Sequence, residues 1–188
     1  WDAALRMAHA PRHASDLMPE AGARQRLAYD ELFAHQLTLA LARAERRRVS
    51  GIETRGDGGL RDRVLAALPF APTGAQTRAM AEIAADMGAP ARMNRLLQGD
   101  VGAGKTLVAL MALLVAVEAG GQGVLMAPTE ILARQHHASI APLAQAAGVR
   151  AEILTGRDKG AERAAKLAAL AKGEIGILIG THAVFQKD

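Results

Sequence analysis

One stretch of eight residues, Gly99-Asp100-Val101-Gly102-Ala103-Gly104-Lys105-Thr106, limits what this chain can fold into, because it fits the phosphate-loop pattern G-x-x-x-x-G-K-[ST] without a mismatch. The pattern has meaning only between a strand and a helix. Residues 93–98 supply an apolar run before it and residues 107–118 a helix-forming run after it, so strand, tight turn and helix are expected in succession. Glycines at 99, 102 and 104 let the backbone turn with its N–H groups pointing inward, an anion-binding concavity that the positive end of the following helix reinforces. Lys105 would then meet the β- and γ-phosphates of a nucleotide, and the Thr106 hydroxyl would ligate Mg²⁺. A Gly-rich turn carrying a surface lysine is the plainer alternative, and the complete motif in the right setting outweighs it.

The rest of the chain can be placed around that loop. Residues 124–127 are too few and too apolar to be anything but a buried strand, closed by Pro128. Thr129 is expected to cap a helix that continues to residue 147 and ends at Gly148, with Pro142 kinking or splitting it. Residues 151–154 form the next strand, Asp158 is expected to cap a helix over residues 159–172, and residues 175–179 form a last strand. Strand and helix thus alternate from residue 93, which predicts an α/β fold with four parallel strands and right-handed crossovers. Upstream, Thr73-Gly74-Ala75-Gln76 has the form of a capping box opening a helix to residue 87.

Residues 1–68 read differently. A short helix over residues 2–9 and an irregular stretch lead into residues 23–48, which lack Gly and Pro and repeat Leu27, Leu32, Phe33 and Leu37 at roughly helical spacing. A long amphipathic helix is expected there. A polar linker over residues 51–59 and a short helix over residues 60–68, stopped by Pro69, complete a helical segment before an α/β part that starts at residue 69.

Composition narrows the function classes without choosing among them. Of 188 residues, 50% are hydrophobic and 22% charged, the profile of a globular protein with a sizeable core. No apolar run reaches the length needed to cross a bilayer, no export leader opens the chain, and no cysteine is present, so a cytoplasmic protein without a membrane partner is expected. The six histidines lack ligand-like spacing, and no metal site built from protein ligands alone is expected. The net charge of +4 invites a nucleic-acid reading. Yet residues 1–68 carry 11 Lys/Arg against 9 Asp/Glu, and residues 69–188 carry 12 against 10, so the excess is diffuse. The densest cluster, Arg43-Ala44-Glu45-Arg46-Arg47-Arg48, is most simply the solvated end of a helix.

Ligands of open parallel sheets lie outside the carboxyl ends of the strands. The segments there are the phosphate loop and residues 128–131, 155–158 and 180–183, all rich in small or hydrogen-bonding residues. Thr129 and Thr181 offer hydroxyls with which a row of phosphates can be tracked. Taken singly, each is an ordinary cap or loop residue.

Taken together, Gln98 to Thr106, then Met126-Ala127-Pro128-Thr129-Glu130-Ile131-Leu132-Ala133-Arg134-Gln135-His136, then Leu154-Thr155-Gly156, then Gly180-Thr181-His182-Ala183 closely resemble successive motifs of the superfamily 2 helicases. Within that superfamily they are most similar to the bacterial enzymes that remodel branched DNA at stalled replication forks. Residues 27–37 also resemble the helical connection such enzymes carry ahead of the motor. The resemblance implies a RecA-like lobe, ATP and Mg²⁺ as cofactors, branched or forked DNA as partner, a monomeric parent protein, and a role in recombination and repair. By position, Gly99, Asp100, Val101, Gly102, Ala103, Gly104, Lys105 and Thr106 would hold ATP, with Lys105 and Thr106 catalytic and Thr106 on the metal. Gln76 resembles the adenine-reading glutamine of the Q motif, a role taken here ahead of local capping because an amide can bond both N6 and N7 of adenine. Phe70, which could line the base pocket, is read as a packing residue. Pro128 and Thr129 resemble motif Ia. Thr155, Gly156, Thr181 and His182 resemble the segments that hold the tracked strand through its backbone, without base specificity.

One departure accompanies these matches. A helicase motor needs a strand ending in Asp-Glu for Mg²⁺ and an arginine from a second lobe, whereas the last strand here ends in Gly180-Thr181. The resemblance therefore implies an internal piece of a longer enzyme, ending before its Walker B strand and inactive by itself. Competing readings are a transcription-repair coupling translocase and a P-loop module with no nucleic-acid role.

Overall fold

The computed structural model describes residues 1–48 and 50–185, with side chains for all of these except Arg46 to Arg48, so that part of the basic cluster lies outside the described residues. The chain divides into two compact units, Trp1–Ser50 and Gly51–Asp188.

The first unit consists of α1 (Asp2–His9), a 3-10 turn (Ala14–Leu17) and α2 (Gly22–Arg48). Ala4 and Ala23, each 9% exposed, let α1 and α2 approach closely. The interior of α2 is free of Gly and Pro, and Arg26 pairs with Asp30 one turn on at 3.0 Å. Tyr29 and Phe33 stack with ring centroids 6.0 Å apart. With Leu32, Leu37 and Leu41 they form an exposed apolar stripe, to which the expected set contributes Leu32, Phe33 and Leu37, whereas Leu27 is half-buried.

The second unit places α3 (Gly59–Ala67), α4 (Gly74–Met87), α5 (Lys105–Glu118), α6 (Glu130–Ala146) and α7 (Gly160–Ala171) around β1 (Gly123–Met126), β2 (Ala151–Leu154) and β3 (Ile177–Gly180). The strands are parallel in the order β1-β3-β2, and Met126, Leu154 and Gly180 stand side by side at their carboxyl ends. Their loops therefore open on one edge. β3 lies in the middle and is buried at all four positions, as its unbroken apolar sequence requires. Helix α5 buries Leu107, Val108, Leu110, Met111, Leu114 and Val115, too wide an arc for a surface helix, and packs against α3, α4, α6 and β1. Only residues 119–122 separate α5 from β1, so the two run antiparallel and the start of α5 lies toward the carboxyl end of the sheet.

Three expectations are corrected. Residues 93–98 form no strand. An apolar run becomes a strand only where a neighbour takes up its backbone groups, and the sheet closes as β1-β3-β2 without this segment. Arg95 instead ties the segment to α4, pairing with Glu82 at 2.6 Å and Asp86 at 2.7 Å, and leaves Leu96 86% exposed. The sheet thus has three strands among the described residues. Of the two outcomes expected at Pro142, splitting is overturned: α6 runs through it to Ala146. Asp158 does not cap α7: that helix starts at Gly160 behind Lys159, with no side-chain cap, because the Asp158 carboxylate is taken up by Thr155 and Lys166.

Between the compact division after Ser50 and the boundary expected at residue 69 lies α3. Val64 is fully buried in the lobe's core, a contribution of about 1.5–3 kcal/mol for a side chain of its size. Glu118, the last residue of α5, caps α3 from outside. Its carboxylate, 1% exposed, accepts from the Gly58, Leu60 and Arg61 amides at 3.1, 2.9 and 3.1 Å, and from Arg61 Nε at 3.0 Å. It supplies both the hydrogen bonds and the negative charge that the start of α3 lacks.

Candidate functional site

The phosphate loop lies where the sequence puts it, immediately before α5. Ala103 N–H donates to the Asp100 carbonyl at 3.2 Å, closing a turn from which Val101 projects fully into solvent. Gly102 and Gly104 have φ of +84° and +76°, in the left-handed region that disfavours any side chain. Gly104 is the N-cap of α5, followed by Lys105 and Thr106 in its first turn. Leu107 and Val108 N–H donate back to Gly104, so the helix starts at once behind the loop. The Lys105 ammonium donates to the Gly99 and Asp100 carbonyls, both at 2.7 Å. It is thus held over the loop's own backbone.

Gln76 has two engagements. Thr73 N–H donates to its Oε1 at 2.8 Å and its own N–H donates to Thr73 Oγ1 at 3.3 Å, completing the capping box of α4. Its Nε2 donates to the Ala103 carbonyl of the phosphate loop at 2.9 Å. A Cβ on Gly104 would stand 2.3 Å from that nitrogen, so glycine at 104 serves the close approach as well as the turn. The loop-to-helix contact had no sequence signal, since the two ends are 27 residues apart. Phe70, read from sequence as a packing residue, is 57% exposed.

These features suit a polyphosphate. Left-handed glycines, a helix start and a lysine already donating to oxygen at the loop's rim are the parts that cradle phosphates, with the Thr106 hydroxyl in the first turn for the accompanying cation.

Beyond the sheet, Pro128 and Thr129 are exposed after β1, and Thr129 Oγ1 accepts from Leu132 N–H at 3.3 Å to cap α6. Thr181 precedes a 3-10 turn (His182–Val184) after β3, without a side-chain cap bond, and His182 is exposed. Thr155, after β2, is 1% exposed. Its amide donates to Asp158 Oδ2 at 2.7 Å, and its hydroxyl donates to the same oxygen at 3.2 Å while accepting from Arg157 N–H at 3.3 Å. Gly156 and Arg157 are consequently the exposed members of that turn.

Lys166 of α7 completes the support, pairing with Asp158 and, at 3.1 Å, with Glu162. Burial pushes the Asp158 carboxyl up, but hydrogen bonds from Lys166 and Thr155 outweigh it and hold the group below its ordinary range. Burial likewise pushes Lys166 down, and its two carboxylate partners more than restore it. A depressed carboxyl stabilises above its unfolded pKa and loses that contribution as pH falls through the folded one. A raised ammonium stabilises below its unfolded pKa and is lost as pH rises through the folded one. The turn is therefore fully supported across neutral pH. Sequence reasoning missed this pair because its members are eight residues apart, outside any helix-face rule. It also missed Arg134 and Arg157, which both engage Glu130.

Comparison with known proteins adds the context. Residues 73–188 match the family model described as DEAD/DEAH box helicase. The chain is 48% identical to the ATP-dependent DNA helicase RecG of Bacillus subtilis (strain 168) over 167 residues, covering 88% of this chain and 24% of that protein. It is 44% identical to the protein of that name from Escherichia coli (strain K12) over 191 residues, covering 98% and 27%. The chain thus spans about a quarter of the length of the curated relatives it matches. A solved structure of RecG bound to a three-way DNA junction superposes with a TM-score of 0.79 at 43% identity, covering 88% of this chain and 23% of that one.

Proposed function

The chain belongs to the DEAD/DEAH box helicase family, and from that premise we propose that it is the nucleotide-binding part of an ATP-dependent helicase that remodels branched DNA. The observation that supports this best is the arrangement at the sheet's carboxyl edge. There the phosphate-loop end of α5 and the loops after β1, β2 and β3 share one side of the lobe. A nucleotide at one end of that row and a DNA backbone along the rest would be held by a single rigid sheet.

ATP with Mg²⁺ supplies the hydrolysis that drives movement on DNA. The chain's own residues would bind and orient: Lys105 would exchange its carbonyl partners for phosphate oxygens, Thr106 would meet the cation, and the amides of Gly102, Gly104 and Lys105 would donate to the phosphates. Gln76 reads adenine by releasing Thr73 or Ala103. Pro128, Thr129, Gly156, Thr181 and His182 contact the DNA backbone, while buried Thr155 holds the turn in shape. Residues 1–68 serve as the helical element ahead of the motor, which in the complete enzyme acts as a monomer in the cytoplasm.

The test uses the full-length protein. Replacing Thr129 and Thr181 together by valine is expected to cut forked-DNA stimulation of ATP hydrolysis about tenfold, while hydrolysis without DNA stays close to wild type because the phosphate loop is untouched. Loss of the Thr129 cap also costs about 1 kcal/mol of stability, so unfolding temperature is followed in parallel. Equal loss of both rates in a folded variant would remove the DNA assignment.

A further inference from the structure

Residues 51–58 have the composition of a slack linker, yet the lobe holds them at both ends. Gly51 N–H donates to the Pro90 carbonyl and Thr54 N–H to the Met87 carbonyl, each at 2.8 Å, so the segment follows residues 87–90 in the opposite direction. It then crosses the end of α5. A Cβ on Gly56 would fall on Glu118 Oε2 and stand 2.8 Å from Glu118 Cβ, while Arg61 Nη2 donates to the Gly56 carbonyl at 3.4 Å. At Gly58 the amide is held by the same Glu118 carboxylate.

The glycines show what the segment is built for. Neither Gly51 nor Gly56 has a positive φ, so no turn requires glycine at these positions. A Cβ on Gly51 would stand 2.7 Å from the Ala91 carbonyl carbon and 2.8 Å from Arg92 N. The neighbours are backbone in one case and a side chain 1% exposed in the other, and neither can yield. Glycine here serves close contact, which a flexible tether does not need.

The difference matters to a motor. Eight residues of free Gly-rich chain have an end-to-end play of about 16 Å, between four and five base-pair rises of about 3.4 Å. A tether of that kind would absorb the steps of a lobe moving along DNA. A seated one cannot.

We propose that residues 51–58 are a strap that passes the lobe's movement on DNA to the helical unit of residues 1–50 instead of absorbing it. This inference rests on the helicase reading and adds to it a device that couples hydrolysis to strand separation. Its signature is loss of coupling with hydrolysis retained.

The experiment follows strand separation on forked DNA and ATP hydrolysis in the same reactions of the full-length protein, with unfolding temperature as control. A Gly-Ser-Gly-Ser insertion is placed between Ser50 and Gly51, and Gly51→Val and Gly56→Val are made separately. Ile52→Ser, at a side chain 89% exposed, is the neutral comparison and should keep both rates. The insertion leaves every contact of the strap in place and adds about 11 Å of play, roughly three base-pair rises. Strands separated per ATP are therefore expected to fall at least about threefold in the insertion and in both valine variants, while hydrolysis stays within about twofold of wild type. Unchanged separation per ATP in the insertion variant overturns the strap and leaves the helicase reading intact. A parallel loss of hydrolysis and separation also overturns it, because the segment then only stabilises the lobe. Where a valine variant fails to fold, the insertion decides. Wild-type protein that neither hydrolyses ATP nor separates forked DNA overturns both readings.

Discussion

Lys105→Ala in the full-length protein is expected to lower DNA-stimulated ATP hydrolysis by about a thousandfold while leaving the unfolding temperature close to wild type. The two outcomes separate because the lysine's present partners are the exposed carbonyls of Gly99 and Asp100, which water can satisfy once the ammonium is gone. Transferred phosphoryl oxygens have no such substitute. A positioned charge facing developing negative charge is worth about 10²–10³ in rate even for a single neutral donor, and a full positive charge at the helix start exceeds that. Lys105→Arg should fail nearly as badly, since a planar fork does not reproduce a compact ammonium. Phosphate release with and without forked DNA, alongside a thermal melt, checks it. Near wild-type turnover in Lys105→Ala would remove the lysine from the chemistry.

Gly180→Ala carries the largest expected loss of stability. Gly180 closes the central strand, and a Cβ there would lie 2.2 Å from the Leu154 carbonyl oxygen and 2.6 Å from Val184 Cγ2. Neither can simply yield. Leu154 is buried and paired in register with Gly180, and Val184 belongs to the turn that follows. Overpacking of this kind costs about 3 kcal/mol, or roughly 6–12 °C in unfolding temperature for a chain of this size. The same displacement moves Thr181, so affinity for DNA should fall together with stability. An unfolding temperature within 2 °C of wild type, a margin set by the roughly 2–4 °C expected per kcal/mol, would show that the strand end is softer than its contacts indicate.

What the sequence made legible was local chemistry. The phosphate loop, the Thr73–Gln76 capping box and the Thr129 cap each involve partners within a few residues, so spacing alone specifies them. The alternation of strands and helices gave the parallel sheet for a similar reason, since crossover rules leave few other arrangements. Residues 93–98 went wrong because a strand is defined by its neighbour, and hydrophobicity is silent about neighbours. Asp158 was assigned to the helix after it because a carboxylate at that place usually caps. The competing lysine lies two turns into α7, at Lys166. Glu118 gave no warning either: an acidic residue at the end of a helix is locally unfavourable, and only the arrival of α3 from about sixty residues away explains it.

That carboxylate also makes α5 a lever. Lys105 begins the 14-residue helix and Glu118 ends it, about 20 Å away. One end of the rod grips phosphates in the proposed function; the other holds three amides of the α3 start. Those amides become a remote gauge. Their exchange with deuterium reports how firmly the far end of α5 is seated, so a nucleotide that steadies the helix is read at Gly58, Leu60 and Arg61 without a label near the phosphate loop.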